Sequence, residues 1–251
     1  MTAGSYFCMK GWKQMGFLDS IGSFFYSFVK AFADNIFIAV IKDNRYTYYL
    51  SGLRMSLQIT LLAVVIGLSV GLVLAIFKLR DKGILAVIAN TYISIIRGTP
   101  VLVQLFIIYF IILAQSGLTP WLIASIAFGL NSGAYVAEII RSGIQAVDRG
   151  QMEAGRSLGL SYGKTMMFII IPQAVKNVLP ALGNEFVILL KETSVSGYIG
   201  IMDLNKGADK IISITYNGMV APLIVAYMYF IMTTTLSAGL NRFERRLHKS
   251  D

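Results

Sequence analysis

From Gly98 to Ala137 the chain runs for 40 residues without a single Asp, Glu, Lys or Arg. A helix on a soluble core shows a polar face to water every turn, so a stretch this long and uncharged belongs in a different solvent. It is also twice the ~20 apolar residues that one helix needs to cross the hydrocarbon of a bilayer. The sequence QSGLTPW at 115–121 divides it, and its turn formers predict a tight loop between two spans. Composition agrees: 56% of residues are hydrophobic and 14% charged, against about 25% charged in soluble domains. A disulfide scaffold is excluded as well, because Cys8 is the one cysteine in the chain.

Other apolar runs complete an all-α, polytopic membrane protein with about five spans, near residues 52–78, 84–114, 119–142, 165–190 and 219–241. The second span contains Arg97-Gly98-Thr99-Pro100, which is expected to bend or break it. The fourth is the weakest, since it carries Pro172, Lys176, Pro180 and Glu185. Of the 22 basic residues, eleven fall on one side of this topology: Lys78, Arg80 and Lys82 after span 1, Arg141, Arg149, Arg156 and Lys164 between spans 3 and 4, and Arg242, Arg245, Arg246 and Lys249 after span 5. The positive-inside rule therefore puts the 141–164 segment and the C-terminus in the cytoplasm. It also assigns the net charge of +9 to loops at a lipid surface, so nucleic acid is not an expected partner.

Residues 1–50 form a separate N-terminal segment ahead of the transmembrane domain at 51–246. Ile21, Phe24, Phe25, Phe28, Phe32 and Ile36 recur at helical spacing, opposite Ser23, Ser27, Lys30 and Asp34. That pattern predicts an amphipathic helix lying in the interface. A sixth crossing, which would bring Lys10 and Lys13 inside, competes with it but must carry Asp19, Lys30 and Asp34.

Two patterns overlap in the basic loop at 148–164. GLSYGKT at 159–165 approaches a phosphate-binding loop, yet three residues rather than four separate Gly159 from Gly163 and no buried strand precedes them. We read it as a glycine turn, so this chain is not expected to bind ATP itself. Asp148 with Gln151 three residues later predicts an N-terminal cap for a short helix that Gly159 ends, after which Ser161 caps the next helix.

From Glu153 the loop reads EAGRSLGLSYGKTMMFIIIPQA, which resembles the E-A-A-x-x-x-G-x9-I-x-L-P segment of the membrane permease subunits of ATP-binding-cassette importers. Gly155 stands where that pattern has its second alanine, and Ile171 where it has leucine. IIRGTPVLVQLFIIYF at 95–110, LNSGAYVAEIIRSGI at 130–144 and LGNEFVILLKETS at 182–194 narrow the resemblance to the polar amino acid group, the histidine, glutamine, glutamate and arginine permease type, over residues 50–246. The resemblance implies a multi-pass protein of the bacterial cytoplasmic membrane that pairs with a second permease, the same or related. It implies two cytoplasmic ATPase subunits carrying ATP and Mg2+, with no catalytic residue, cofactor or metal in this chain. An extracellular substrate-binding protein would deliver the amino acid near residues 191–210. Glu153, Ala154, Gly155, Arg156 and Gly159 would form the coupling loop that meets the ATPase, with Glu153 and Arg156 at the contact or paired with each other.

Polar side chains inside spans are costly, about 2.5–3.5 kcal/mol for a charge at mid-span. Gln104, Asn131 and Glu185 are therefore the candidate substrate-path residues. A carboxylate suits a substrate ammonium, and the amides can hydrogen-bond either end of an amino acid. Interhelical hydrogen bonding is the alternative for both amides. Gly67, Gly71, Gly129 and Gly133, four apart in pairs, are expected to let helices approach closely. An ion-coupled secondary transporter is the rival function; no internal repeat of the kind such folds carry is visible.

Overall fold

The structure, a computed structural model, describes residues 21–79 and 83–247. Cys8, Lys10, Lys13, Asp19, Arg80, Lys82 and Lys249, which entered the charge and composition readings, lie outside them. Every regular element among the described residues is helical: α1 (Ile21–Asn44), α2 (Tyr46–Lys78), α3 (Ile84–Arg97), α4 (Val101–Ile112), α5 (Pro120–Gln145), α6 (Arg149–Ser157), α7 (Tyr162–Ile199), α8 (Leu204–Thr215) and α9 (Val220–Leu247). Five of these helices are long and apolar enough to cross a membrane, namely α1, α2, α5, α7 and α9, and the bent pair α3–α4 makes a sixth if counted as one span.

The expected break in the second span is present. α3 and α4 meet at 109° across Gly98–Pro100. Pro100 takes an extended backbone and starts α4, since its ring leaves no N–H to continue α3. The turn before α5 is also found, with Gly117 at φ 70° and Pro120 in the first turn of the helix.

α2 and α5 form the centre of the bundle. An added Cβ at Gly129 would stand 2.6 Å from Cβ of Ile66, one at Gly133 2.8 Å from Cγ1 of Val70, one at Gly67 3.1 Å from Cβ of Ser132, and one at Gly71 would overlap Val136. The four glycines thus let two helix backbones pack at a distance that any larger residue prevents. α4 closes one side of this pair through Leu105 and Ile108, which pack with Ile59, Ala63, Ala124 and Phe128. α3 lies against its lower part through Ile93, with Ala75, Ala134 and Ala137.

α1 differs from its surroundings. Its residues 21–31 are exposed on all sides, and Phe24, Phe28 and Phe32 line up with ring centroids 6.5 and 6.4 Å apart. The aromatic stripe read from the sequence is therefore real, on a helix that also has the length and apolarity to cross. Only its C-terminal part is docked, through Ala39 with Tyr49 and Leu204 and through a 2.8 Å bond from Asn217 to Asn35.

One helix was not anticipated. α8 begins at Asp203, whose carboxylate accepts from the Lys206 N–H at 2.7 Å, the Gly197 N–H at 2.7 Å and the Ser196 hydroxyl at 2.8 Å. Burial pushes this carboxyl upward from its ordinary value, while the three donors pull the other way. Asp203 thereby ties the end of α7 to the start of α8.

Candidate functional site

Two groups of polar residues stand out, one at mid-depth in the bundle and one on α6 at its end. At mid-depth, Gln104 and Asn131 meet. The Asn131 amide donates to Oε1 of Gln104 at 2.9 Å. The Gln104 amide nitrogen donates to the carbonyls of Ile96 and Thr99 at 2.8 and 3.0 Å and lies 2.8 Å from the Thr99 hydroxyl. Those carbonyls belong to the break between α3 and α4, where the helical ladder is interrupted and backbone acceptors lack their usual partners. Gln104 therefore replaces the missing backbone donors, and Asn131 fixes Gln104 to α5. Both are buried, and this geometry supports the interhelical role for the amides.

Glu185 reaches the same level from α7. It is 8% exposed and accepts a 2.8 Å bond from the hydroxyl of Ser132, the residue after Asn131. The three candidates are thus joined into one layer across α4, α5 and α7 through Ser132, which the sequence did not single out. Replacing Gln104 by Leu should lower stability by ~1–2 kcal/mol by taking the side-chain donor from the Thr99 carbonyl and the acceptor from the Asn131 amide, and by leaving the Ile96 carbonyl with only backbone donors, such as the Thr99 N–H at a long 3.5 Å. Asn131→Leu combined with it should cost less than the sum of the two single changes, since they share a bond. Thermal unfolding of the single and double variants in detergent checks this; strict additivity would separate the two side chains.

Two further contacts fall outside the sequence reading. The Arg97 guanidinium sits over the Tyr135 ring, 5.4 Å from its centroid. Glu138 accepts from both Lys78 of α2 and Arg141 of α5, so one carboxylate bridges the two cations where the apolar run of α5 ends, and the cluster stays net positive.

At the end of the bundle, α6 starts at Asp148, whose side chain accepts the Gly150 N–H at 2.6 Å. It stops at Gly159, which has φ 81°. The Gly159 N–H bonds to the Arg156 carbonyl at 3.0 Å and the Leu160 N–H to the Gly155 carbonyl at 3.2 Å. This pair of bonds is the Schellman closure, and its left-handed residue favours glycine. GLSYGKT is accordingly a helix stop followed by a helix start, the latter capped by Ser161.

Met152 and Gly155 turn inward onto the start of α7. A Cβ on Gly155 would lie 2.5 Å from Cγ2 of Thr165 and 3.0 Å from Cδ1 of Ile169. The departure at Gly155 from the importer pattern is therefore a packing requirement, and this residue is buried behind the surface of the loop. Glu153, Ala154, Arg156 and Gly159 face outward with Leu158, which is 82% exposed. No ion pair joins Glu153 and Arg156 among the described residues; Arg156 donates instead to the Leu160 carbonyl at 3.2 Å.

Residues 49–249 match the family model described as "Binding-protein-dependent transport system inner membrane component". The arginine transport system permease protein of Bacillus subtilis (strain 168) is 38% identical over 206 residues, covering 81% of this chain and 94% of that protein. The glutamine transport system permease protein of Escherichia coli (strain K12) is 36% identical over 201 residues, covering 79% and 92%. Among solved structures, an amino acid ABC transporter crystallised with histidines superposes with a TM-score of 0.76 at 49% identity, covering 80% of this chain and 94% of that one. A methionine ABC transporter in an inward-facing conformation has the same fold, with a TM-score of 0.70 at 18% identity, covering 82% of this chain and 99% of that one.

Proposed function

Because the chain belongs to the binding-protein-dependent transport system inner membrane components, we propose that it is the permease of an ATP-driven importer for a polar amino acid. The observation that carries the substrate class is the likeness, over four fifths of the chain, to permeases named for arginine and glutamine and to an amino acid transporter of known structure. ATP and Mg2+ act on a separate ATPase pair. A second permease completes the path, and an extracellular binding protein supplies the amino acid. The protein is a multi-pass component of the cytoplasmic membrane, and the end bearing α6 faces the cytoplasm together with the C-terminus, as the basic residues of that end require.

In this reading the outward face of α6, with Glu153, Ala154 and Arg156 and closed by Gly159, seats in the ATPase. Gly155 makes α6 and the start of α7 one rigid unit, so displacement of α6 on nucleotide binding is carried into α7. α7 also bears Glu185, whose bond to Ser132 links that displacement to the central pair α2–α5. Coupling needs two states of the bundle with different affinities for nucleotide-bound ATPase, and the α6–α7 unit is the element both sites can bias.

Co-purification tests the assignment. A stable complex of this chain with an ATPase that hydrolyses ATP in response to an amino acid is expected; a chain that binds no ATPase would contradict it. Glu185 lines the substrate path in this account. Glu185→Gln should slow amino acid import at least ~10-fold with the complex intact, whereas unchanged import of every substrate would remove Glu185 from the path.

A further inference from the structure

Arg97 ends α3 at the break in the span, and its depth follows from its neighbours. Tyr92 of α3 donates its hydroxyl to the Leu130 carbonyl at 2.8 Å, and Ile93 packs on Ala134 and Ala137. Tyr135, under the guanidinium, lies 15 residues from the start of α5 and ten from its end, or about 22 and 15 Å. The guanidinium thus stands within the bundle, about one turn of α5 from Asn131 on one side and from the Glu138 cluster on the other.

Arg97 is exposed there. No ion pair joins it to a carboxylate among the described residues: Glu138 is bound by Lys78 and Arg141, and the bond that Glu185 accepts comes from Ser132. The Tyr135 face and the C-terminal end of α3 both favour the cation without cancelling it. A permanently charged guanidinium is costly against hydrocarbon, so an exposed one here fits an aqueous path better than lipid. It is also held in place, because the break that presents it is fixed by the bonds from Gln104 to Ile96 and Thr99.

We propose that Arg97, stacked on Tyr135 at the break of α3–α4, is the contact inside the membrane for the α-carboxylate of the transported amino acid. This rests on the importer reading above. A planar guanidinium receives a carboxylate through two parallel hydrogen bonds, and every α-amino acid carries that group whatever its side chain. Arg97 would therefore select for the free amino acid as a class, with side-chain choice made elsewhere.

The test uses the whole permease–ATPase complex. Uptake of L-glutamine, L-glutamate, L-histidine and L-arginine into proteoliposomes with binding protein and ATP first establishes import by the unaltered protein; failure to import any of the four removes the importer reading and this proposal with it. Equilibrium binding of the same amino acids and of their α-carboxamides is then measured on the complex in nanodiscs, without binding protein. The unaltered complex should favour the carboxylate over the amide by ~100-fold. In Arg97→Gln that ratio should fall toward one with the complex still eluting as a single assembly, and Arg97→Lys should restore part of it. An importing protein whose Arg97→Gln variant keeps the full ratio would overturn the proposal alone, as would an importing complex that binds no amino acid without its binding protein. Dissociation of the assembly in Arg97→Gln would also overturn it, by assigning the guanidinium to a subunit contact.

Discussion

Leucine at Gly71 should drive α2 away from α5 and lower the stability of the permease by ~3 kcal/mol, at or beyond the upper end for an overpacked core. The side chain would have to occupy the space of Val136, and the Gly133 carbonyl stands 3.0 Å from where its Cβ would be. Val136 can change rotamer, but that carbonyl is part of the α5 backbone and cannot yield without moving the helix. Gly71→Ala should fall between the two, since a single methyl already meets Val136. Gly239→Leu is the control, because a Cβ there meets nothing within 4 Å. Heating the detergent-solubilised protein and following its monodisperse fraction should show a midpoint lowered by ~10 °C for Gly71→Leu and little changed for Gly239→Leu. Equal midpoints for the two would mean that α2 and α5 are not in the tight register described.

The second large effect concerns α6. Leu158→Asp combined with Ala154→Asp alters only outward positions, as both residues are exposed while Met152 and Gly155 hold the helix to α7. The double variant should fold with an unchanged thermal midpoint yet bind its ATPase at least ~100-fold more weakly, ending ATP-driven import. An exposed leucine and alanine beside Arg156 form an apolar spot of the kind that anchors an interface, and two acids there leave carboxylates to be desolvated on docking. Titration of the ATPase onto the permease in nanodiscs reads the affinity. Undiminished binding would place the ATPase contact elsewhere than on this face of α6.

The parts of this architecture that follow from local chemistry were legible in the sequence. Pro100 and Gly98 announced the break in the second span, Asp148 and Gly159 the limits of α6, and the paired glycines the α2–α5 seam. Each depends on one residue's backbone preference or size. Less accessible were features set by the rotation of one helix against another. Hydropathy cannot say that Ser132, and not Asn131, faces Glu185, nor that Gln104 turns its amide back onto the α3–α4 break. α8 was hidden for a different reason. Lys206, Asp209 and Lys210 make its twelve residues look like a loop, whereas Leu204, Gly207, Ala208 and Ile211 bury one face of it and Asp203 caps it. The break explains Arg97 only once Tyr135 is placed under it. For α1, the stripe of Phe24, Phe28 and Phe32 gave the helix, and its length then proved sufficient for a crossing.

ATP dependence separates this account from an ion-coupled carrier. The direct measurement is uptake of radiolabelled L-glutamine or L-arginine into proteoliposomes holding the permease and its ATPase, with no ion gradient. Uptake that requires ATP and the binding protein, survives ionophores and disappears when the ATPase is omitted is the predicted result. Uptake by this chain alone, driven by a sodium or proton gradient and indifferent to ATP, would contradict it.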